Sequence, residues 1–170
     1  MNIFFLDVDV KKAAEYHVDR HVVKLRLELA QLGCTAHHVL SDIETNKIPY
    51  KKTHFNHPSA IWVRESLFNY NHIVDLGLVL CAEMRYRFGT PHQKAEEVLI
   101  WLKNNPIQVE NVFMTKPKLA LTGVPNNEYF PQDEMDFWDY AVKNYRKYYE
   151  LQKSHLFKWS NRKTPEWLQK

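Results

Sequence analysis

Three groups of side chains in this sequence have the types and spacing to do chemistry. Lys24 and Glu28 stand four residues apart, so on a helix they meet on one face. One reading of such a pair is an exposed ion pair worth under about 1 kcal/mol. The other is amine catalysis. Desolvation at a core edge favours the neutral amine, which can attack an electrophilic sugar carbon, and the carboxylate beside it can move protons and stabilise positive charge. The second group is the histidines, nine in 170 residues. His17-x-Asp19-x-His21 and His54-x-x-His57 form two short clusters, with His37, His38 and His92 in reserve. Imidazoles and a carboxylate together suit zinc, iron or manganese. No known zinc spacing is met: there is no His-Glu-x-x-His, and the cysteines are not paired. The third group is basic and aromatic: Lys51, Lys52, Arg64, Arg85, Arg87, Lys116, Lys118 and the tail. Phosphates attract Lys and Arg, and bases stack on aromatic rings. A solvated basic surface over core aromatics would leave the same signature.

The elements that must position these groups follow from periodicity. Val22, Leu25, Leu29, Leu32, Ala36 and Val39 recur at helical steps and make an apolar stripe. His21, Lys24, Glu28, Gln31, Thr35 and His38 recur at the same steps in a second stripe beside the first. A solvated face would be centred opposite the core, so a polar stripe at the core's edge is where a pocket wall would lie. Asp19 suits the N-cap of this helix, which should end near Leu40 or Ser41. Before it, Met1–Leu6 reads as a buried extended segment, and Asp7 or Asp9 can cap a short helix reaching His17. After a polar loop over 42–57, Pro58 fits the first turn of a long helix that should run to Gly89, a left-handed C-cap. Arg85 and Arg87 would complement its dipole. Thr90-Pro91 opens a helix through about Lys103, with Ala95, Val98, Leu99 and Leu102 inward. Residues 106–133 hold Pro106, Pro117, Pro125 and Pro131 without a clear period and read as a long ordered loop with room for one short strand. A last aromatic helix begins near Asp133 and ends near Lys153.

Composition sets the outer bounds. Four glycines and long periodic segments favour an all-α (mainly α) fold: one compact helical domain over residues 1–170 with a short extended N-terminal segment and a long Pro-containing loop. A net charge of +3 allows nucleic acid as a partner without demanding it. Cys34 and Cys81 read as small core residues in a reducing compartment. No signal peptide, lipidation motif or run of about 18 apolar residues stands out, so the expectation is a cytoplasmic chain with no membrane partner.

Over roughly its first half, to about residue 95, the chain resembles the pyrimidine-dimer DNA glycosylase/AP lyase family (phage endonuclease V), in its distant phage and bacterial branch. The resemblance rests on Met1-Asn2-Ile3-Phe4, on Asp19-Arg20-His21-Val22-Val23-Lys24 with Glu28 and Gln31 downstream, on Asn56-His57-Pro58 and Trp62, and on a helix through Tyr70 ending at Arg87-Phe88-Gly89. It implies a compact helical domain over 1–95, with residues 96–170 as additional helices and a tail. It also implies cleavage of the glycosidic bond of a damaged pyrimidine in DNA through an imine with the N-terminal amine, aided by a glutamate that falls on Glu28. The host cytoplasm would be the setting for a virus-encoded member. The expected catalytic set is Glu28, Lys24, His21, His17 and Met1, with no cofactor. The expected DNA-binding set is Asn56, His57, Arg64, Arg85, Arg87, Lys51 and Lys52. Asn2 is bulky and should leave Met1 in place, so the nucleophile stays open between the Met1 amine, Lys24 and none. Two other readings compete. One is a divalent transition-metal hydrolase or nuclease with ligands His17, Asp19, His21, His54 and His57. The other is a non-catalytic virus-encoded interaction protein.

Overall fold

A computed structural model of the chain describes residues 1–91 and 93–168, so His92 lies outside the described residues. Among the described residues there are six α-helices, short 3-10 turns and no strand. The fold is all-α. The main helix, α2 (Asp19–Leu40), buries Val22, Leu25, Leu29, Leu32 and Ala36 against α4 (Leu67–Phe88), while Val39 in its last turn is exposed beyond the core. Helix α5 (Lys94–Asn104) lies against both. It seats on two glycines: a Cβ at Gly33 would come within 2.6 Å of Leu102, and one at Gly77 within 2.6 Å of Leu99.

Local signals explain most boundaries. The Asp9 carboxylate caps the short α1 (Val10–Tyr16) by accepting from the amides of Lys11 at 2.7 Å and Lys12 at 3.3 Å. Pro58 opens α3 (Pro58–Val63), and Gly89 closes α4 at φ +63. Where one helix was expected from Pro58 to Gly89, the chain breaks at 64–66. Ser66 caps α4 by accepting from the Asn69 amide at 3.1 Å, and the buried Asn69 carboxamide closes the gap by donating to the Trp62 carbonyl at 2.8 Å. Helix α5 starts at Lys94 rather than at Thr90-Pro91. The last helix, α6 (Phe137–Gln152), is capped by Asp136 instead of Asp133. No strand forms in the long loop. Asn144 of α6 takes that role, accepting from the amides of Tyr129 and Phe130 and donating back to the Phe130 carbonyl at 2.9 Å.

Asp19 is not the N-cap of α2; Val18 is. The Asp19 carboxylate turns away to accept from Arg87 at 3.0 Å and from the Ser160 hydroxyl at 2.7 Å, charge-assisted and side-chain bonds that outweigh one cap. Arg87 does not sit at the solvated helix end that its position suggests. Its side chain has no exposed surface, and it makes five hydrogen bonds, one for each N–H: to Glu83, to Asp19 and to the carbonyls of Ala14, Glu15 and His17. The tail folds over this knot. The Trp159 indole donates to the Tyr16 carbonyl at 2.9 Å, and Arg162 grips Glu83 with two bonds at 2.8 and 2.9 Å. Burial of Asp19 and Glu83 opposes their ionisation, but these bonds outweigh it and hold both carboxyls below their usual range.

The N-terminal segment lies outside any helix and is buried from Ile3 to Leu6. Phe4 and Phe5 point into an aromatic core that joins α2 and α4 to α6. Three histidines are buried here. Burial is the first cause that pushes His17 and His72 down to about 4 and His21 down to about 3. A depressed imidazole contributes stability that is complete above its unfolded value of 6.5 and is lost as pH falls toward the folded value. Each should cost about 2 kcal/mol by about pH 5. The Asp19 and Glu83 pairs, lowered in the same sense from a lower start, hold through that window. Thermal melts should therefore show the melting temperature dropping between pH 7 and about pH 5, and His72→Phe should make the slope shallower. A flat profile would contradict the buried neutral histidines.

Candidate active site

The polar stripe of α2 faces an open pocket of about 530 Å³. His21, Lys24, Leu25 and Glu28 form one wall. Met1 and Asn2 of the N-terminal segment, His57 from the turn before α3, and Tyr148, Lys153 and His155 from the end of α6 form the others. Each wall has a local reason to be where it is. Asn2 fixes the start of the chain by donating to the Ala120 carbonyl at 2.9 Å and accepting from the Tyr145 hydroxyl at 2.5 Å. His57 is the N-cap of α3, its Nδ1 accepting from the Ser59 amide at 3.1 Å, which leaves the other face of the ring toward the pocket. Glu28 is nine-tenths buried, and Lys24 donates to it at 2.9 Å from a largely exposed position. His21 is stacked on Phe4, with ring centres 4.4 Å apart, and its Nδ1 meets the Tyr149 hydroxyl.

The electrostatics bind these groups together. His57 is lowered first by burial, then by the Met1 amine and by His54, while Glu28 acts in the opposite sense. Met1 and Glu28 are thus both within electrostatic reach of one imidazole. The pocket gathers cations from α2 and α6 around a single carboxylate, a pattern that concentrates anions in a partly enclosed space.

Several expected site residues lie elsewhere. His17 is fully buried behind His21, with its Nδ1 2.5 Å from the Ala13 carbonyl, and does not line the pocket. Arg87 is sealed in the knot described above and cannot reach a phosphate. Arg85 pairs with Glu96. Arg64 donates to the carbonyls of Phe55 at 2.6 Å and Ala60 at 3.3 Å, which pins the turn that carries His57. Asn56 is exposed in that turn, outside the pocket lining. Lys51 and Lys52 line a separate groove with His38 and Pro49. Lys118 pairs with Glu65, and Lys116 lies over the Tyr140 ring.

The alternative metal set does not assemble. His17 faces the core, Asp19 is spent on Arg87 and Ser160, and His54 bonds to Thr53 at 2.6 Å on an exposed turn. Among the described residues no three His, Cys, Asp or Glu side chains stand where they could hold one ion. Cys34 and Cys81 are free and buried, and burial raises both thiols to about 11.

Among the polar and aromatic pocket residues that the sequence did not single out as site residues are Arg20, Tyr148, Lys153 and His155. Arg20 adjoins His21 and could have been found on the edge of the polar stripe. The other three depend on α6 folding back across α2. Among the described residues no helix is long and apolar enough to cross a membrane. No family model, curated protein or solved structure matches the chain.

Proposed function

We propose that the chain is a DNA N-glycosylase with AP lyase capacity, acting on a modified or damaged base. The observation that carries the reading is that Glu28, Lys24 and Met1 open onto one pocket large enough for a nucleotide, with His57 across from α2. In this reading an amine, of Met1 or Lys24, attacks C1′ of the deoxyribose. The bond from C1′ to the base breaks, and the base leaves with the electron pair and takes up a proton from solvent water. The amine nitrogen gives its proton to the Glu28 carboxylate. As the nitrogen lone pair forms the imine, the C1′–O4′ bond opens and O4′ takes that proton back from Glu28. The imine then hydrolyses, or Glu28, again a carboxylate, takes a C2′ proton and the 3′ phosphate leaves with its electron pair by β-elimination. The target base must leave the stack to reach the pocket.

The test is incubation with DNA holding an abasic site or ultraviolet damage in the presence of borohydride. A covalent adduct is expected, and its mass-mapped peptide should contain either Met1 or Lys24. Lys24→Met should abolish the adduct in the second case and leave it in the first. No adduct, no strand scission and no released base would reject the proposal.

A further inference from the structure

His21 presents a donor that none of the described residues uses. The residue is 7% exposed, yet it lines the pocket. Its Nδ1 meets the hydroxyl of the fully buried Tyr149, and among the described residues that hydroxyl has no other acceptor. Burial raises the phenol well above its ordinary range, so it keeps its proton and donates it to Nδ1. Burial, then the charges of His17, Lys153, Lys24 and Arg20, hold the imidazole neutral. A neutral ring whose Nδ1 accepts carries its only N–H on Nε2. That nitrogen has no protein partner among the described residues and is not closed off from the pocket. The stack on Phe4 fixes the ring plane at 13° to the phenyl ring, so the direction of the N–H is fixed too.

Around this fixed donor stand Arg20, on α2, and Lys153, at the end of α6. Lys24 is paired with Glu28. Arg20 and Lys153 are paired with no carboxylate among the described residues; Lys153 lies 4.9 Å from the Tyr148 ring centre. One neutral N–H and two cations, reaching in from separate helices, match the oxygens of a tetrahedral anion better than a planar carboxylate, which one arginine fork would satisfy.

We infer that His21, Arg20 and Lys153 form a phosphate subsite in this pocket, that Tyr149 is the positioning residue that aims His21, and that the subsite takes the phosphate of a nucleotide. The choice of a nucleotide rests on the proposed function; the anion site does not. The phosphate can be the diester of a strand or the terminal group of a free nucleotide, and the two call for separate probes.

The experiment follows the His21 ring nitrogens by NMR in the full chain labelled with ¹⁵N-histidine, with His21→Gln to assign them. Thymidine 5′-monophosphate, a thymidine tetranucleotide lacking terminal phosphates, and thymidine are titrated in turn. At least one phosphate-bearing probe should shift Nε2 where thymidine does not; the tetranucleotide marks a strand, the monophosphate a free nucleotide. Arg20→Gln and Lys153→Gln should each weaken that probe by about 10-fold. Tyr149→Phe should change the free protein's pattern from a single Nε2–H tautomer to a mixture. Equal responses to thymidine and both phosphate probes, wild-type affinity in both glutamine variants, or an unchanged tautomer in Tyr149→Phe would each overturn the inference. Probe binding of this kind in a protein that releases no base would keep the subsite and reject the glycosylase reading. Base release without the phosphate response would do the reverse.

Discussion

Glu28→Gln should reduce base release and adduct formation by on the order of 10²- to 10⁴-fold, the range that a positioned acid–base group supplies. The change is nearly isosteric, so the pocket keeps its shape. Among the described residues, the ion pair lost is the one from Lys24, whose largely exposed side chain makes the pair worth under about 1 kcal/mol. The melting temperature should therefore move by only a degree or two, roughly what that energy buys in a domain of this size. Loss of activity with an intact fold separates proton transfer from architecture. Activity within about threefold of wild type would remove Glu28 from the chemistry, because a group with no proton to move leaves no larger mark.

Arg87→Met should have the largest effect on stability. The substitution leaves Glu83 and Asp19 buried or half-buried with a partner missing, and it strips the carbonyls of Ala14, Glu15 and His17 of their donor. Removing one partner from a buried charge network typically costs about 3–5 kcal/mol. For a chain of this length that corresponds to a drop of roughly 6–20 °C in melting temperature. Arg162 still holds Glu83 from the other side, which favours the lower part of that range. A change of less than about 2 °C would mean that the knot contributes nothing net, since even 1 kcal/mol would give more.

What could be read from the sequence, and what could not, divides by the range of the interaction. The helices around Val22–Leu32 and Ala95–Leu102, the proline that opens α3 and the left-handed Gly89 follow from periodicity and from single-residue backbone preference, and both are local. The break at 64–66 is hidden because Trp62, Phe68 and Ile73 continue an apolar pattern across it; only Ser66 marks it. Asp19 looks like a cap because its strongest partners, Arg87 and Ser160, lie 68 and 141 positions away. Arg87 itself looks exposed because backbone carbonyls, most of what buries it, leave no trace in a string of letters. The pocket divides in the same way. His21, Lys24 and Glu28 share one helix, so their spacing alone places them side by side. Lys153 and His155 reach them only through the return of α6, which is a tertiary fact. His17, four residues before His21 but in the extended join between α1 and α2, illustrates the limit of spacing. Two imidazoles four residues apart occupy neighbouring positions, yet one faces the pocket and the other the core.

The pinning of Asn2 by Ala120 and Tyr145 has a bearing on biosynthesis. The segment around Asn2 has no place to dock until partners 118 and 143 positions later have left the ribosome. A nascent chain can pair α2 with α4 early, but its opening segment must wait. Closing so wide a loop is entropically costly, and it puts the assembly of this corner among the late and slow events. A product of premature termination before α6 would keep most of the helical scaffold and lack one side of the cavity altogether.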